Sequence, residues 1–181
     1  DTIARHDEIC NYLHLPLQSA SNEVLERMRR QYTVEEYVDL VERMRQRIDG
    51  LALSTDIIVG FPGETDQQFQ QTKDLMEELR FDFAYMFKYS ERSKTYAERE
   101  MEDDVPESVK KERLTSIIEM QEDISREICE SRIGTTQEVM VEGTSKRDDS
   151  ELSGRTDDFK TTVFPRPEDG SLEPGDFVDV H

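Results

Sequence analysis

The chain has 181 residues, 34% of them hydrophobic, and carries 42 Asp and Glu against 23 Lys and Arg, a formal charge of −19. That length fits one domain with a small appendage, and the charge argues against a general nucleic-acid binder, because affinity for phosphate backbones comes largely from Lys and Arg. No apolar run approaches the ~18 residues of a membrane-spanning helix, and the two cysteines, Cys10 and Cys129, make neither a disulfide framework nor a Cys-x-x-Cys metal motif.

The first residues lack the basic-then-apolar form of a signal peptide, so a reducing, cytoplasmic setting is expected. Tyr12 to Gln18 predicts a short buried strand with Pro16 near its end. Ser21-Asn22 is an N-cap signal, and Val24, Leu25 and Met28 mark one face of a short helix. Thr33-x-x-Glu36 is a capping box, followed at helical spacing by Tyr37, Leu40, Val41, Met44 and Ile48 until Asp49-Gly50. Leu51 to Val59 predicts a second strand, apolar enough to be covered on both faces. After the tight loop Gly60-Phe-Pro-Gly-Glu64, Thr65-x-x-Gln68 caps a helix whose stripe is Phe69, Thr72, Leu75, Met76 and Leu79. Phe83 to Tyr89 is the third strand.

Strands alternating with helices predict a parallel sheet with right-handed crossovers. Three strands do not close a barrel and leave an exposed edge. The chain starts without Met and stops in mid-alternation at Phe177-Val-Asp-Val-His181, so it reads as a piece of a longer protein. A long helix is expected from Pro106 to about Ile133, with Val109, Leu114, Ile117, Ile118, Ile124 and Ile128 as its stripe and Gly134 as its stop. Beyond Gly134 the period falls to two, at Val139 and Val141, Thr161 to Phe164, and Phe177 to Val180, with Gly143, Gly154, Gly170 and Pro174-Gly175 as punctuation. This predicts an antiparallel module of about five strands, with its last expected to be missing, and a turn at Gly154-Arg-Thr156.

In parallel α/β folds, ligands meet the loops at the carboxyl ends of strands. Here those ends are Gln18-Ser19, Gly60 to Glu64 and Tyr89-Ser-Glu-Arg92. A carboxylate inside an apolar strand is costly unless paired, so Asp56 either caps a neighbouring backbone group or reaches a ligand. Arg30 is a surface charge or an anion partner. His14, in an apolar strand, reads as a hydrogen-bonded core histidine.

The segments His14-Leu-Pro-Leu-Gln-Ser19, Asn22-Glu-Val-Leu-Glu-Arg-Met-Arg-Arg30, Tyr32-Thr-Val-Glu-Glu-Tyr37 and Ser54-Thr-Asp-Ile-Ile-Val-Gly-Phe-Pro-Gly-Glu-Thr65 resemble the MiaB-type tRNA methylthiotransferases. Val105 to Leu114, Gly154-Arg-Thr156 and Val163-Phe-Pro165 continue the likeness. Departures are Ala20 in place of the usual Gly, Gln31 in place of Gly or Lys, and Ser93-Lys94 in place of Pro-Gly. The resemblance implies an α/β fold: the C-terminal half of a radical S-adenosylmethionine (SAM) TIM-like barrel with a long closing helix over residues 1–133, then an OB-like TRAM β-barrel over 134–181. It also implies methylthio insertion at C2 of an N6-modified adenosine beside the tRNA anticodon, with S-adenosylmethionine and two 4Fe–4S clusters. The cluster-binding cysteines are not in this chain, so the fragment alone is expected to hold no cluster and to be inactive.

By the same resemblance Gln18, Ser19, Arg30, Asp56, Ile58 and Tyr89 face the cofactor. Lys146, Arg147, Arg155 and Lys160 would meet RNA from a module with five Lys and Arg against twelve Asp and Glu. The expected partner is a tRNA anticodon stem-loop and the expected state a monomer without a membrane. A sister enzyme acting on threonylcarbamoyl-adenosine tRNA and a non-catalytic RNA-binding module are the alternatives. A three-cysteine loop encoded upstream of Asp1 separates the enzymes from the module.

Overall fold

The computed structural model describes residues 2–6, 8–167 and 170–181. The chain divides into two compact units, one of Leu13–Gln46 and Leu53–Ile128, the other of Asp1–Tyr12, Arg47–Ala52 and Cys129–His181.

The first unit is built on a three-stranded sheet in the order β1 (Tyr12–His14), β2 (Ala52–Val59), β3 (Phe83–Lys88), with β2 and β3 parallel. Helices α1 (Asn22–Arg27) and α2 (Val34–Arg45) connect β1 to β2, and α3 (Asp66–Leu79) connects β2 to β3. Both sequence-predicted capping boxes form. Thr33 Oγ1 accepts the Glu36 N–H and Thr65 Oγ1 the Gln68 N–H, each at 3.2 Å, and each N3 side chain returns the bond. Each such cap is worth about 1 kcal/mol. Leu17, Val24, Leu25, Val41, Leu53, Ile57, Met76, Phe81 and Ile117 are buried to within 1% and form the core. At ~1.5–3 kcal/mol for each large side chain, that cluster is the main driving term.

The short helix α4 (Tyr96–Glu100) precedes α5 (Glu107–Glu130). The apolar stripe expected of α5 is only partly the one it buries. Val109, Leu114, Ile118 and Ile128 stay half-buried, while Lys110, Arg113, Ile117, Gln121 and Ile124 are covered. These positions recur three and four apart, so the helical period is intact but three members are polar. Their partners explain the cost. Arg113 Nη1 donates to Glu64 Oε2 at 2.8 Å and Nη2 to Asp66 Oδ1 at 2.7 Å, while Gln121 Nε2 donates to the Phe81 carbonyl at 2.7 Å. Lys110 pairs with Asp103.

The second unit carries an antiparallel sheet in the order β6 (Thr161–Pro165), β5 (Glu151–Thr156), β4 (Gln137–Thr144), β7 (Phe177–Val180). The described residues give four strands, beside an expected module of about five lacking its last. Gly154-Arg-Thr156 is not a turn but the end of β5, which pairs with both β4 and β6. Glu-Leu-Ser-Gly-Arg-Thr has one large apolar residue, so its alternation is invisible to a hydrophobic count. Gly154 is there because the strands approach closely: a Cβ would stand 2.3 Å from the Met140 carbonyl oxygen. Val139, Val141, Leu152 and Phe164 make the inner face. Arg132 ion-pairs with the buried Asp158.

No helix among the described residues is long and apolar enough to cross a membrane. The buried ion pair generates a stability prediction. Arg113→Met should lower unfolding free energy by about 3–5 kcal/mol, because the Glu64 carboxylate is left buried without its partner. Urea denaturation of the two proteins measures it, and a loss below 1 kcal/mol would show the pair to be dispensable.

Candidate functional site

The site begins with a proline. Pro16 has no N–H to give the sheet, and regular pairing of β1 stops at His14 rather than reaching Gln18 as the sequence suggested. Leu15 still donates to the Ser54 carbonyl and Gln18 to the Asp56 carbonyl, both at 2.8 Å. Three residue steps on one side therefore match two on the other, and the segment bulges. Gln18 returns to the sheet at φ 69, in the left-handed region, at a cost of ~1–3 kcal/mol. Two tyrosines hold it there: Tyr37 Oη donates to the Leu15 carbonyl at 2.7 Å and Tyr32 Oη to that of Leu17 at 2.9 Å. Burial pushes the Tyr37 phenol up to about 12 and raises that of Tyr32, so both remain hydrogen donors at neutral pH.

The second wall is the loop after β2. Gly60 turns at φ +70 with the Lys110 side chain against it, and its N–H donates to Glu64 Oε2 at 2.7 Å. Burial pushes the Glu64 carboxyl up, and the Gly60 N–H and the Arg113 guanidinium pull the other way. Phe61 is thereby set against Val24, Tyr89 and Ala97, meeting the Tyr89 ring edge-on with centroids 5.1 Å apart. Burial, then the carboxylates of Asp103, Glu91 and Glu98, raise the Tyr89 phenol.

Between these walls lies a cavity of about 410 Å³ into which Gln18, Arg30, Asp56, Ile58 and Tyr89 all project. Five of the six residues selected as cofactor-facing thus share one lining. Ser19 does not: it is wholly buried, 3.5 Å from Thr72 Oγ1, and accepts the Ser21 N–H. Four further cations, Arg27, Arg29, Lys88 and Arg92, share the lining; of these only Arg92 lies in a segment the sequence marked as ligand-facing. The run Arg27-Met-Arg-Arg30 in so acidic a chain was the available signal. Arg27 is spent on the Gly63 carbonyl and Gln68, Lys88 on Glu107, and the Arg29 guanidinium lies 3.4 Å over the Tyr96 ring. Arg30 and Arg92 form no ion pair among the described residues, and Asp56 is the one carboxylate of the lining. The arrangement suits a ligand that carries both signs of charge and an apolar plane.

His14 is corrected by the structure. It is hydrogen-bonded, but it sits exposed on the open face of the sheet rather than in the core. In the other unit Lys146, Arg147 and Arg155 line a shallow groove of about 510 Å³, and Lys160 is not part of its lining. Arg155 already bonds Glu142 at 2.9 Å and covers the Phe159 ring at 4.0 Å. A larger cavity of about 740 Å³ in that unit, with Met140, Phe159 and Phe177 in its wall, gathers no cofactor candidate. Among the described residues no three His, Cys, Asp or Glu are grouped to hold a metal, and Cys10 and Cys129 are exposed free thiols.

Residues 1–76 match the radical SAM superfamily and residues 130–181 the TRAM domain. Among solved structures, a coproporphyrinogen III oxidase from Escherichia coli, a radical SAM enzyme, superposes with a TM-score of 0.54 at 16% identity, over 81% of this chain and 39% of that one. The fold is that of the radical SAM proteins. The chain is also 49% identical over 180 residues to the tRNA-2-methylthio-N(6)-dimethylallyladenosine synthase of Chlorobium limicola, covering 99% of this chain and 40% of that protein. It is 44% identical to the synthase of the same name in Christiangramia forsetii, over 99% of this chain and 37% of that protein. The chain belongs to the MiaB-type family of radical SAM proteins and spans about two fifths of the length of the curated relatives it matches.

The tight approach at Gly60 is testable. Gly60→Ala places a Cβ 2.4 Å from Lys110 Cγ in a left-handed backbone, and should destabilise the protein by about 1–3 kcal/mol. Thermal denaturation at fixed pH measures it, and an unchanged midpoint would mean that the loop relaxes freely.

Proposed function

We propose that this chain is the carboxyl-terminal part of a radical SAM methylthiotransferase, supplying one wall of the S-adenosylmethionine site and a surface for tRNA. The observation that carries the reading is the convergence of Gln18, Arg30, Asp56, Ile58 and Tyr89, from separate segments, on one cavity. Its volume lies in the ~300–1,000 Å³ range of small-molecule sites. The donor set also fits the cofactor, which presents a carboxylate, an ammonium, a ribose diol and a flat adenine.

The roles follow from chemistry. The Arg30 fork pairs with the methionyl carboxylate. Asp56 accepts hydrogen bonds from the ammonium or the diol, and the Gln18 amide serves whichever of these Asp56 leaves. Ile58 and the Tyr89 end of β3 flank the adenine. When bound, S-adenosylmethionine supplies radical chemistry and a methyl group for insertion of a methylthio group at C2 of an N6-modified adenosine beside the anticodon. In this reading the two 4Fe–4S clusters are held by other parts of the full protein, since this chain has only two cysteines. The fragment alone is then inactive. We assign the cofactor-facing function to residues 1–133 and the RNA-facing function to residues 134–181, in a monomer working in the cytoplasm.

The cofactor half is tested in the full-length enzyme. Arg30→Ala should weaken S-adenosylmethionine binding by about 1.5–3 kcal/mol, the worth of a hydrogen bond between charged groups. Equilibrium dialysis measures it, and unchanged affinity sinks the assignment. The RNA half is tested by Lys146→Glu with Arg147→Glu. Each lost phosphate contact should flatten the salt dependence of tRNA binding by ~0.7–0.9 of a unit in slope, leaving cofactor affinity unchanged. An unaltered salt titration would make both residues ordinary surface cations.

A further inference from the structure

The period-two alternation of β2 puts Ser54, Asp56 and Ile58 on one face of the sheet, where β1 contributes His14 and β3 contributes Tyr85. His14 is fixed from three sides. Its Nδ1 lies 2.8 Å from Ser54 Oγ, its Nε2 lies 3.4 Å from Asp56 Oδ1, and its ring meets the Tyr85 ring edge-on with centroids 5.8 Å apart. A carboxylate only accepts, so the nitrogen facing it carries the hydrogen. In the neutral ring Nδ1 is then the acceptor, and the Ser54 hydroxyl donates to it. Both nitrogens of the imidazole thus face a polar group.

Asp56 has the opposite need. Its terminal torsion joins sp³ to sp² carbon and has a broad, nearly two-fold profile, so the strand alone does not orient the carboxylate. Oδ1 faces His14, while Oδ2 forms no hydrogen bond among the described residues, and the residue lines the cavity. We infer that His14 is a positioning residue: with Ser54 behind it, it turns the Asp56 carboxylate so that Oδ2 is presented to the hydroxyl or ammonium donors of the bound cofactor. This rests on the assignment of Asp56 to the cofactor site. His14 is not among the residues that line the cavity, so its effect would pass through Asp56.

The test is a double-mutant cycle in the full-length enzyme, read as the dissociation constant for S-adenosylmethionine. His14→Ala should weaken binding about five- to tenfold, with kcat at saturating cofactor within about twofold of the parent. His14→Gln, whose amide keeps a donor toward Asp56, should restore affinity to within about twofold. In the Asp56→Asn background, His14→Ala should cost less than about twofold more. Additive losses, or no rescue by His14→Gln, would overturn the positioning role while leaving Asp56 in the site. Full affinity in His14→Ala beside weakened binding in Asp56→Asn would do the same. Unchanged affinity in Asp56→Asn would instead overturn the cofactor assignment of Asp56 and the inference with it.

Discussion

The contact between Arg113 and Glu64 is the constraint on which the site-bearing unit depends. Both side chains are almost wholly removed from water, where neither charge is tolerable alone. Arg113 therefore has to meet the loop after β2, and that requirement fixes where α5 lies against it. Glu64 in turn accepts the Gly60 N–H, which sets the turn that carries Phe61 against Tyr89. One guanidinium thus links a 24-residue helix to a cavity wall built from the other end of the unit.

The cavity inverts the charge of the molecule around it. Five cations and one carboxylate line it in a chain of net charge −19. Mobile ions screen exposed charges over ~8 Å at physiological ionic strength, whereas partly buried ones are screened much less. A ligand at the strand ends therefore feels the local lining rather than the net charge, and a small dipolar molecule is held at both ends. The same reasoning applies to the β-module, where Lys146, Arg147 and Arg155 line one shallow groove, so an anion placed there would meet their local charge despite an acidic surround.

The extent to which the site was legible depended on the range of the signal. The family resemblance, beside the strand-end positions of Gln18 and Tyr89, selected Gln18, Arg30, Asp56, Ile58 and Tyr89, and all five meet. Ser19 failed because adjacent residues on an irregular segment point in different directions, and its hydroxyl turns to Thr72 instead. Of the extra cations, Arg92 sat in a strand end already marked as ligand-facing but was not singled out, while Lys88 belongs to β3 and Arg27 and Arg29 to the α1 segment, where nothing local marks them as lining a cavity. The buried polar stripe of α5 was missed for a related reason. A count of apolar residues passes over Lys110, Arg113 and Gln121, whose burial is made tolerable by groups some forty to fifty positions away, Lys110 excepted.

What the sequence alone determined was what short windows contain: the two capping boxes, the alternation of strands and helices that implies a parallel sheet, the change of period after Gly134, and the motifs that mark the family. Those features arise between residues a few positions apart, so they can be read without knowing the fold. Only the tertiary structure decided the rest. It showed the bulge that presents Gln18 in a left-handed conformation, the strand through Gly154, where the close Met140 backbone leaves no room for a side chain, and the placing of His14 between Ser54 and Asp56. Each of these depends on partners brought together by chain closure, and packing and hydrogen bonding between distant segments leave no periodic trace in the sequence that supplies them.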